Sequence, residues 1–212
     1  DQNYVKTVTY KLATTVITSP TDAQKVQNIT YYDGLGRPIQ QVAYKQSATG
    51  KDIITPIEYD DFGRQEKEYL PYVPTTAASQ NYLPTALTDV GSFYNTSSYE
   101  NTLNPYSKKE FENSPLSKVL KQAAPGNSWS NGSGHEIKFD YQTNTAIDDV
   151  KLFAISATWD ITKGLYDIPT TLTATTYTDN QLYKTITYDE NSALTPIETN
   201  GSTVEFKDKE GH

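Results

Sequence analysis

The sequence contains no cysteine and no methionine, and only two of its 212 residues are histidine, His135 and His212. Without cysteine the chain has no disulfide scaffold, no thiolate zinc site and no cysteine nucleophile. With only two imidazoles, acid–base or metal chemistry that depends on histidine has few residues to use. Chemistry that depends on histidine is therefore scarce, and no catalytic residue, cofactor or metal ligand is predicted.

Positive charge and long apolar runs are also scarce. The 18 Lys and Arg residues are outnumbered by 26 Asp and Glu, which gives a net charge of -8 and a pI of about 4.8. A nucleic-acid partner is not expected, because its phosphates would be repelled. The mean hydropathy of -0.66 argues against membrane insertion. Since the chain begins at Asp1 without an apolar leader, we expect that a signal peptide has been removed or that the sequence is part of a longer protein.

Tyrosine, by contrast, is abundant, with 17 Tyr beside 6 Phe and 2 Trp. Tyr and Thr suit a half-buried sheet surface, because the ring or branched carbon packs on neighbours while the hydroxyl faces water. Several segments alternate apolar and polar residues, which predicts strands. These segments are 4–10, 29–32, 39–44, 53–59, 137–141, 150–159, 182–188 and 203–206. The predicted fold class is mainly β, with antiparallel hairpins.

Two segments interrupt this alternation. Four prolines lie among polar residues between positions 70 and 105, and this segment is predicted to be a long loop. Within it, residues 85–94 have the pattern of one short helix, although Gly91 weakens that pattern. A second irregular segment is predicted at 123–134.

A six-residue motif occurs twice, with its copies 27 residues apart. The copies are Tyr32-Asp33-Gly34-Leu35-Gly36-Arg37 and Tyr59-Asp60-Asp61-Phe62-Gly63-Arg64. A degenerate third copy lies at 207–212, where His212 stands in the arginine position. The segment Thr-Pro-Ile-Glu at 55–58 also recurs at 195–198. Repeats of this period suggest stacked supersecondary units.

Each residue of the motif suits a hairpin turn. A strand ends at Tyr32 or Tyr59, and the following Asp33 or Asp60 can accept hydrogen bonds from backbone N–H groups two residues on. The second glycine, Gly36 or Gly63, can adopt the positive φ that closes the turn. Arg37 and Arg64 then begin the return strands, from which their guanidinium groups can pair with Asp33 and Asp60. These eight residues are predicted to carry hairpin geometry rather than chemistry.

The motif resembles the tyrosine-aspartate (YD) repeats of the Rhs (rearrangement hotspot) family, which is related to teneurins and to the shell subunits of bacterial toxin complexes. Further motifs, in their order along the chain, resemble the amino-terminal domain ahead of Rhs repeats in large secreted proteins of Bacteroidota. These motifs are Tyr-Asp-Gly-Leu-Gly-Arg-Pro at 32–38, Glu-Tyr-Asp-Asp-Phe-Gly-Arg at 58–64, Leu-Pro-Tyr-Val-Pro at 70–74, Ser-Pro-Leu-Ser-Lys-Val at 114–119 and Ala-Ala-Pro-Gly at 123–126.

The resemblance implies a division of the chain into two parts. Residues 1–141 would be the amino-terminal Rhs-associated domain with two YD-type repeats. Residues 142–212 would add strands that lead into the repeat shell, and the end of the chain inside the third copy suggests truncation at 212. The chain would then be the start of a β-shell of YD hairpins, with long irregular loops and the one short helix.

The resemblance also implies a function. In the family, the shell encloses a carboxyl-terminal cargo, often a toxin. The chain would be a non-enzymatic structural module that starts or caps this shell, and its partners would be the downstream shell and cargo of the same polypeptide. A secreted or cell-surface location follows, with export through the outer-membrane (type IX) secretion machinery. The self-cleavage motif of the family, Asp-Pro followed by Gly-Leu, does not occur in the sequence.

Several local patterns admit other interpretations. Paired carboxylates at Asp60 and Asp61, with Asp33 and Glu58, can be read as a glycoside-hydrolysis site. A calcium site could be built from Asp60 and Asp61, or from Asp148 and Asp149, although no EF-hand loop is present. The segment Gly-Ser-Gly-His at 132–135 lacks the spacing of a nucleophile elbow, and Gly-Leu-Gly at 34–36 lacks the third glycine of a phosphate loop. In each case a structural role in a turn or loop is the favoured interpretation.

A surface carbohydrate-binding or adhesin domain is the alternative function. Trp129 lies in a loop rich in Gly, Ser and Asn, where an exposed ring can stack on a ligand. Trp159, which ends an alternating segment, is more typical of a strand. Trp129 is therefore the candidate for ligand stacking.

Overall fold

The computed structural model describes residues 2–11, 13, 20–154, 157–167 and 173–212. The chain forms two compact units, Asp1–Glu136 and Ile137–His212. The domain boundary expected from the sequence follows Tyr141, which lies within the first strand of the second unit. In the described part of the chain, no helix has the length and hydrophobicity that crossing a membrane requires.

The first unit is built on antiparallel strands and one helix. Its elements are β1 (Asn3–Tyr10), β2 (Lys25–Tyr32), β3 (Pro38–Ala43), β4 (Ile53–Pro56), β5 (Lys67–Tyr69), α1 (Ala86–Tyr94), β6 (Tyr106–Phe111) and β7 (Val119–Ala123). Strands β1, β2, β3 and β4 form one sheet in that order, joined as successive hairpins. Strands β5, β6 and β7 pair antiparallel in the same way. The predicted mainly β fold of antiparallel hairpins is thus confirmed.

The core of this unit lies between the first sheet and α1. Alternate residues of β2 and β3 point inward, and Ile29 and Val42 are almost fully buried. Val90 of α1 is completely buried and packs in the same cluster, together with Tyr72. Because a helix of nine residues is marginal alone, this burial is what stabilises α1. The predicted short helix at 85–94 is therefore confirmed.

Buried polar side chains attach the long 70–105 segment to the sheet. The amide of Gln40, which is buried, donates to the Leu83 carbonyl and accepts from the Leu83 N–H. The carboxylate of Asp52 accepts hydrogen bonds from the backbone N–H groups of Ser79 and Gln80. These side chains satisfy backbone groups that would otherwise be costly to bury. The segment is a loop with fixed anchor points.

The second unit is also antiparallel. Its strands are β8 (Ile137–Thr143), β9 (Lys151–Ala154), β10 (Thr158–Asp160), β11 (Leu165–Asp167), β12 (Thr173–Thr176), β13 (Tyr183–Tyr188) and β14 (Ser202–Lys207). Strand β13 lies between β8 and β14 and carries the buried Ile186. Strands β9 and β12 form one pair, and β10 and β11 form another.

Two predicted strands differ from those observed. The segment 150–159 contains two strands, because β9 pairs with β12 whereas β10 pairs with β11. Ile155 and Ser156, between them, lie outside the described residues. The segment 53–59 is a strand only as far as Pro56, and beyond it Ile57 makes a single bridge to Glu68. In both segments the partner strand changes along the segment. The alternation of apolar and polar residues does not reveal such a change.

A buried ion cluster fastens β13 to neighbouring loops. The ammonium group of Lys184 lies 2.6 Å from the Asp148 carboxylate and 2.7 Å from that of Glu198. Side-chain exposure is 6% for Lys184 and 8% for Asp148, so the pair is shielded from water. Burial alone would lower the pKa of Lys184, but its two carboxylate partners raise it, and the Lys184 ammonium lowers the pKa of Asp148. Both groups therefore stay charged at neutral pH.

Replacement of this buried cation is expected to loosen the β13 region. Lys184→Met leaves the Asp148 carboxylate buried without its partner, which typically costs about 3–5 kcal/mol. Amide hydrogen exchange of peptides covering β13 and β14 measures the effect locally and should be faster in the variant. Lys207→Met is the matched control, since Lys207 pairs with Glu205 on the exposed surface. Equal exchange in the two variants would contradict a stabilising role for the cluster.

Candidate functional site

The first copy of the repeated motif forms a closed five-residue turn between β2 and β3. The Asp33 N–H donates to the Arg37 carbonyl, and the Gly36 N–H donates to the Asp33 carbonyl. One carboxylate oxygen of Asp33 accepts from the backbone N–H groups of Leu35 and Arg37, each at 2.9 Å. The other oxygen accepts from Nε of Arg37 at 2.8 Å. The aspartate thus binds both ends of the turn and the arginine side chain.

The other two copies repeat this geometry. In the second, Asp60 accepts from the Phe62 and Arg64 backbone N–H groups and from Nε of Arg64. In the third, Asp208 accepts from the backbone N–H groups of Glu210 and His212, and the His212 imidazole lies 3.5 Å from its carboxylate. The glycine of each copy has positive φ, at +79°, +77° and +88° for Gly36, Gly63 and Gly211. The predicted turns and Asp–Arg pairs are present, and the degenerate copy shares their form.

A fourth turn of this kind does not contain the repeated motif. Between β3 and β4, the Ser47 N–H donates to the Lys51 carbonyl, and the Gly50 N–H donates to the Ser47 carbonyl. The Ser47 hydroxyl takes the role of the aspartate and accepts from the Lys51 N–H at 2.7 Å. One 27-residue repeat therefore contains two turns, an aspartate turn at one end of the sheet and this serine turn at the other. Successive aspartate turns consequently lie at the same end.

Each arginine of the repeat also contacts the following hairpin. The Arg37 guanidinium carbon lies 4.4 Å from the centre of the Tyr59 ring, in the next copy. The Tyr59 hydroxyl in turn donates to the carbonyl of Pro38, directly after Arg37. The Arg64 guanidinium lies 4.7 Å from the centre of the Phe111 ring. Cation–π contacts of this type join each turn to the hairpin that follows it.

A further turn begins at Phe111, and the repeated motif in the sequence did not reveal it. The Glu112 N–H donates to the Lys118 carbonyl, and the Glu112 carboxylate accepts from the Lys118 N–H and the Ser114 hydroxyl. An aromatic residue followed by an acidic one therefore opens this turn, as Tyr-Asp opens the others. The longer loop and the change from Asp to Glu hide the similarity in the sequence.

The hydrogen bonds of the turns stabilise the charged form of their aspartates. The Arg37 backbone N–H, followed by the Arg37 side chain, lowers the pKa of Asp33. Burial alone would raise the pKa of Asp60, but the Arg64 backbone N–H and side chain outweigh it and the pKa is lowered. For Asp208 the backbone N–H of His212 has the largest effect, and the pKa is again lowered. All three aspartates are therefore carboxylates at neutral pH.

The structure also places the residues of the alternative interpretations. Glu58 accepts from the Tyr69 hydroxyl and pairs with Lys67, whereas Asp61 is exposed at the tip of its turn. Asp148 belongs to the buried ion cluster and Asp149 pairs with Lys151. Within the described residues, no group of three or more His, Asp or Glu side chains is arranged to hold a metal ion.

Trp129 ends a short 3₁₀ turn at Asn127–Trp129. Its ring packs on the His135 imidazole with 5.1 Å between centres, and 39% of the residue is exposed. Trp159 is more exposed, at 53%, and packs edge-on against Tyr166 across the β10–β11 hairpin. Trp159 lies in a strand, β10, and Trp129 lies outside the strands, as their sequence contexts indicate. Ligand stacking on Trp129 stays a prediction.

A comparison with known protein families found a match over most of the chain. Residues 6–143 match a family described as a domain of unknown function, DUF6443. The chain belongs to this family. The match includes the first two copies of the motif and the Phe111 turn, and it ends at the last residue of β8. Searches of curated proteins and of solved structures found no match.

Three glycines of the repeats allow a matched test of turn strain. Gly63→Ala and Gly36→Ala place a side chain at positive φ, which costs about 1–2 kcal/mol. At Gly63 the new Cβ would also lie 3.1 Å from an Arg37 guanidinium nitrogen, whereas nothing lies within 4 Å at Gly36. We expect thermal unfolding temperatures to fall in both variants and further in Gly63→Ala.

Gly34→Ala is the control for these variants, since Gly34 has neither positive φ nor a neighbour within 4 Å. Its unfolding temperature should change little. If Gly63→Val, a harsher change, left thermal unfolding unaltered, the closed-turn geometry would not describe the protein in solution.

The lowered pKa of Asp60 predicts a pH dependence. A group with a depressed pKa in the folded state contributes stability above its unfolded pKa, about 3.9 for Asp, and loses that contribution as pH falls through the folded pKa. Asp60→Asn should therefore lower the unfolding temperature at pH 7, and the difference from the unmodified chain should shrink below about pH 4. Asp61→Asn, at the exposed neighbouring residue, is the control. A difference independent of pH would contradict a role for the Asp60 charge.

Proposed function

We propose that the chain is a non-enzymatic structural module, the amino-terminal part of a secreted or cell-surface Rhs-type protein. Its role is to start or cap a β-shell that encloses a carboxyl-terminal cargo or toxin. The downstream shell and cargo of the same polypeptide are its partners, and the outer-membrane secretion machinery exports the whole.

The observation that carries this proposal is the contact between successive turns. Arg37 of one copy stacks on Tyr59 of the next, and Arg64 stacks on Phe111 of the hairpin after that. Each turn thus provides the surface on which the following hairpin packs. Protein arrays grow in this way, because each unit buries its surface only against its neighbours. The motif is therefore suited to continue as a shell.

The edges of the sheets support a place within a larger protein. Strand β1 is one of the two edge strands of the β1–β4 sheet, and β14 is likewise an edge strand of its sheet. All eight residues of β1 are exposed, including Tyr4 and Val5 at 60% and 56%. A long exposed edge with apolar side chains promotes pairing with further strands. Strands of a shell would cover such edges.

The use of the carboxylates supports a role without catalysis. Asp33 and Asp60 each accept three hydrogen bonds from their own turn, and Glu58 is engaged by Lys67 and Tyr69. A general acid or nucleophile needs a carboxyl group that faces substrate. These groups instead hold the chain in its turns.

The proposal is tested on the parent protein. The reading frame should continue beyond His212 with many Tyr-Asp-x-x-Gly-Arg units. The following segment, expressed as a separate tagged chain, should co-purify with residues 1–212. Trp129→Ala is the control and should co-purify equally, since Trp129 belongs to no repeated turn.

Two results would contradict the proposal. One is a reading frame without further repeats, or a downstream segment that does not associate. The other is hydrolytic turnover in a broad substrate screen that is lost in Asp60→Asn but kept in Asp61→Asn.

A further inference from the structure

A cavity of about 580 Å³ opens in the first unit between the start of the 70–105 loop and the end of α1. Its volume falls within the range of small-molecule sites, roughly 300–1,000 Å³. Tyr72, Thr75 and Thr76 line one side, and residues from Asp89 to Tyr99 line the other. The cavity lies apart from the repeated turns and contains neither Trp129 nor His135.

Aromatic rings form one wall of this cavity. Phe93 packs on Tyr99 with 5.1 Å between ring centres, and Tyr94 packs on Tyr99 at 4.9 Å. Despite these contacts Tyr99 is 42% exposed. Aromatic side chains dominate small-molecule sites, and an accessible ring can pack on the C–H face of a sugar.

The polar groups of the cavity are mainly acceptors. The Ser92 hydroxyl donates its proton to the Thr88 carbonyl, and the Thr96 hydroxyl donates to the Phe93 carbonyl. Their oxygen lone pairs therefore remain to accept hydrogen bonds. The Asp89 carboxylate accepts from the Thr85 hydroxyl through one oxygen and can accept further bonds. Such a wall is complementary to a ligand with several hydroxyl donors.

The Tyr72 side chain lines the cavity, and its hydroxyl lies buried near the Asp89 carboxylate. Tyr72 is 2% exposed, and among the described residues its hydroxyl has no hydrogen-bond partner. Burial, together with the negative charge of the nearby Asp89, raises the pKa of Tyr72. The hydroxyl therefore keeps its proton and can donate. Because the hydroxyl oxygen is itself buried, a ligand in the cavity does not reach it, and the nearby Asp89 carboxylate is the acceptor to which it can donate.

The charge on the cavity wall disfavours an anionic ligand. Asp89 contributes one negative charge to the helix side. On the other side, the Lys51 ammonium bonds to the carbonyls of Pro74 and Thr75, at 3.4 Å and 2.7 Å. An anion would be repelled by Asp89, whereas Lys51 lies outside the lining and its charge is engaged by two carbonyl groups. Hydroxyl donors on an uncharged ring avoid the repulsion by Asp89 and can bond to its carboxylate.

We propose that this cavity binds a neutral saccharide residue, with the Tyr99 ring against its C–H face and the Asp89 carboxylate accepting its hydroxyl groups. The inference goes beyond the shell-starting role and does not depend on it. It also assigns saccharide binding to Tyr99 and Asp89 rather than to Trp129.

The test uses an array of neutral oligosaccharides, followed by titration of the strongest binder in solution. Tyr99→Ala and Asp89→Asn should each weaken binding by about tenfold or more, as loss of a stacking ring or a charged hydrogen bond typically does.

Trp129→Ala is the matched control and should bind as the unmodified chain does. The inference is overturned if no neutral oligosaccharide binds, or if Trp129→Ala abolishes binding while Tyr99→Ala does not. It is likewise overturned if glycine betaine, a probe for quaternary ammonium groups, binds at the Tyr99 site and the oligosaccharides do not. None of these measurements involves the downstream segment, so the shell proposal stands or fails separately.

Discussion

The aspartate carboxylate at the start of each turn is the constraint on which the first unit depends. One oxygen of Asp33 or Asp60 binds two backbone N–H groups, and the other binds Nε of the arginine four residues on. A guanidinium held by its edge keeps its flat face available. That face meets the ring of Tyr59 or Phe111. A hydrogen bond within five residues thereby fixes a contact between hairpins that are far apart in sequence.

This chain of contacts explains why the motif contains each of its residues. Glycine closes the turn at positive φ, aspartate orients arginine, and arginine presents its face to an aromatic ring. The Tyr59 hydroxyl also donates to the carbonyl of Pro38, so Tyr59 contacts both Arg37 and the first residue of β3. Lysine has no planar group, and the turn that glutamate opens at Glu112 has a longer loop. The tyrosine excess thus has a structural reason at these positions.

The turns and the short helix could be predicted from sequence because their interactions are local. The Tyr-Asp-x-apolar-Gly-Arg pattern contains every donor and acceptor of the turn within a few residues. The partners of Arg37 and Arg64 could not be predicted, because they depend on how distant hairpins pair. Strands β6 and β7 lack clear alternation and gave no signal, and the Ser47 turn has no aspartate, so its likeness to the repeated turns could not be seen in the sequence. The break within 150–159 depends on the choice between two partner strands, which is likewise non-local.

The repeat and the 70–105 segment make different contributions to the unit. The aspartate of each repeated turn bonds within that turn, which makes the turn rigid. Such a hairpin offers little concave surface for a ligand. The 70–105 segment carries an aromatic cluster and a buried tyrosine hydroxyl, and Gln40 and Asp52 fix its position from the sheet. Loops held on rigid scaffolds are where binding surfaces usually arise. The proposed assembly role therefore belongs to the sheet, and the proposed recognition surface belongs to the anchored loop.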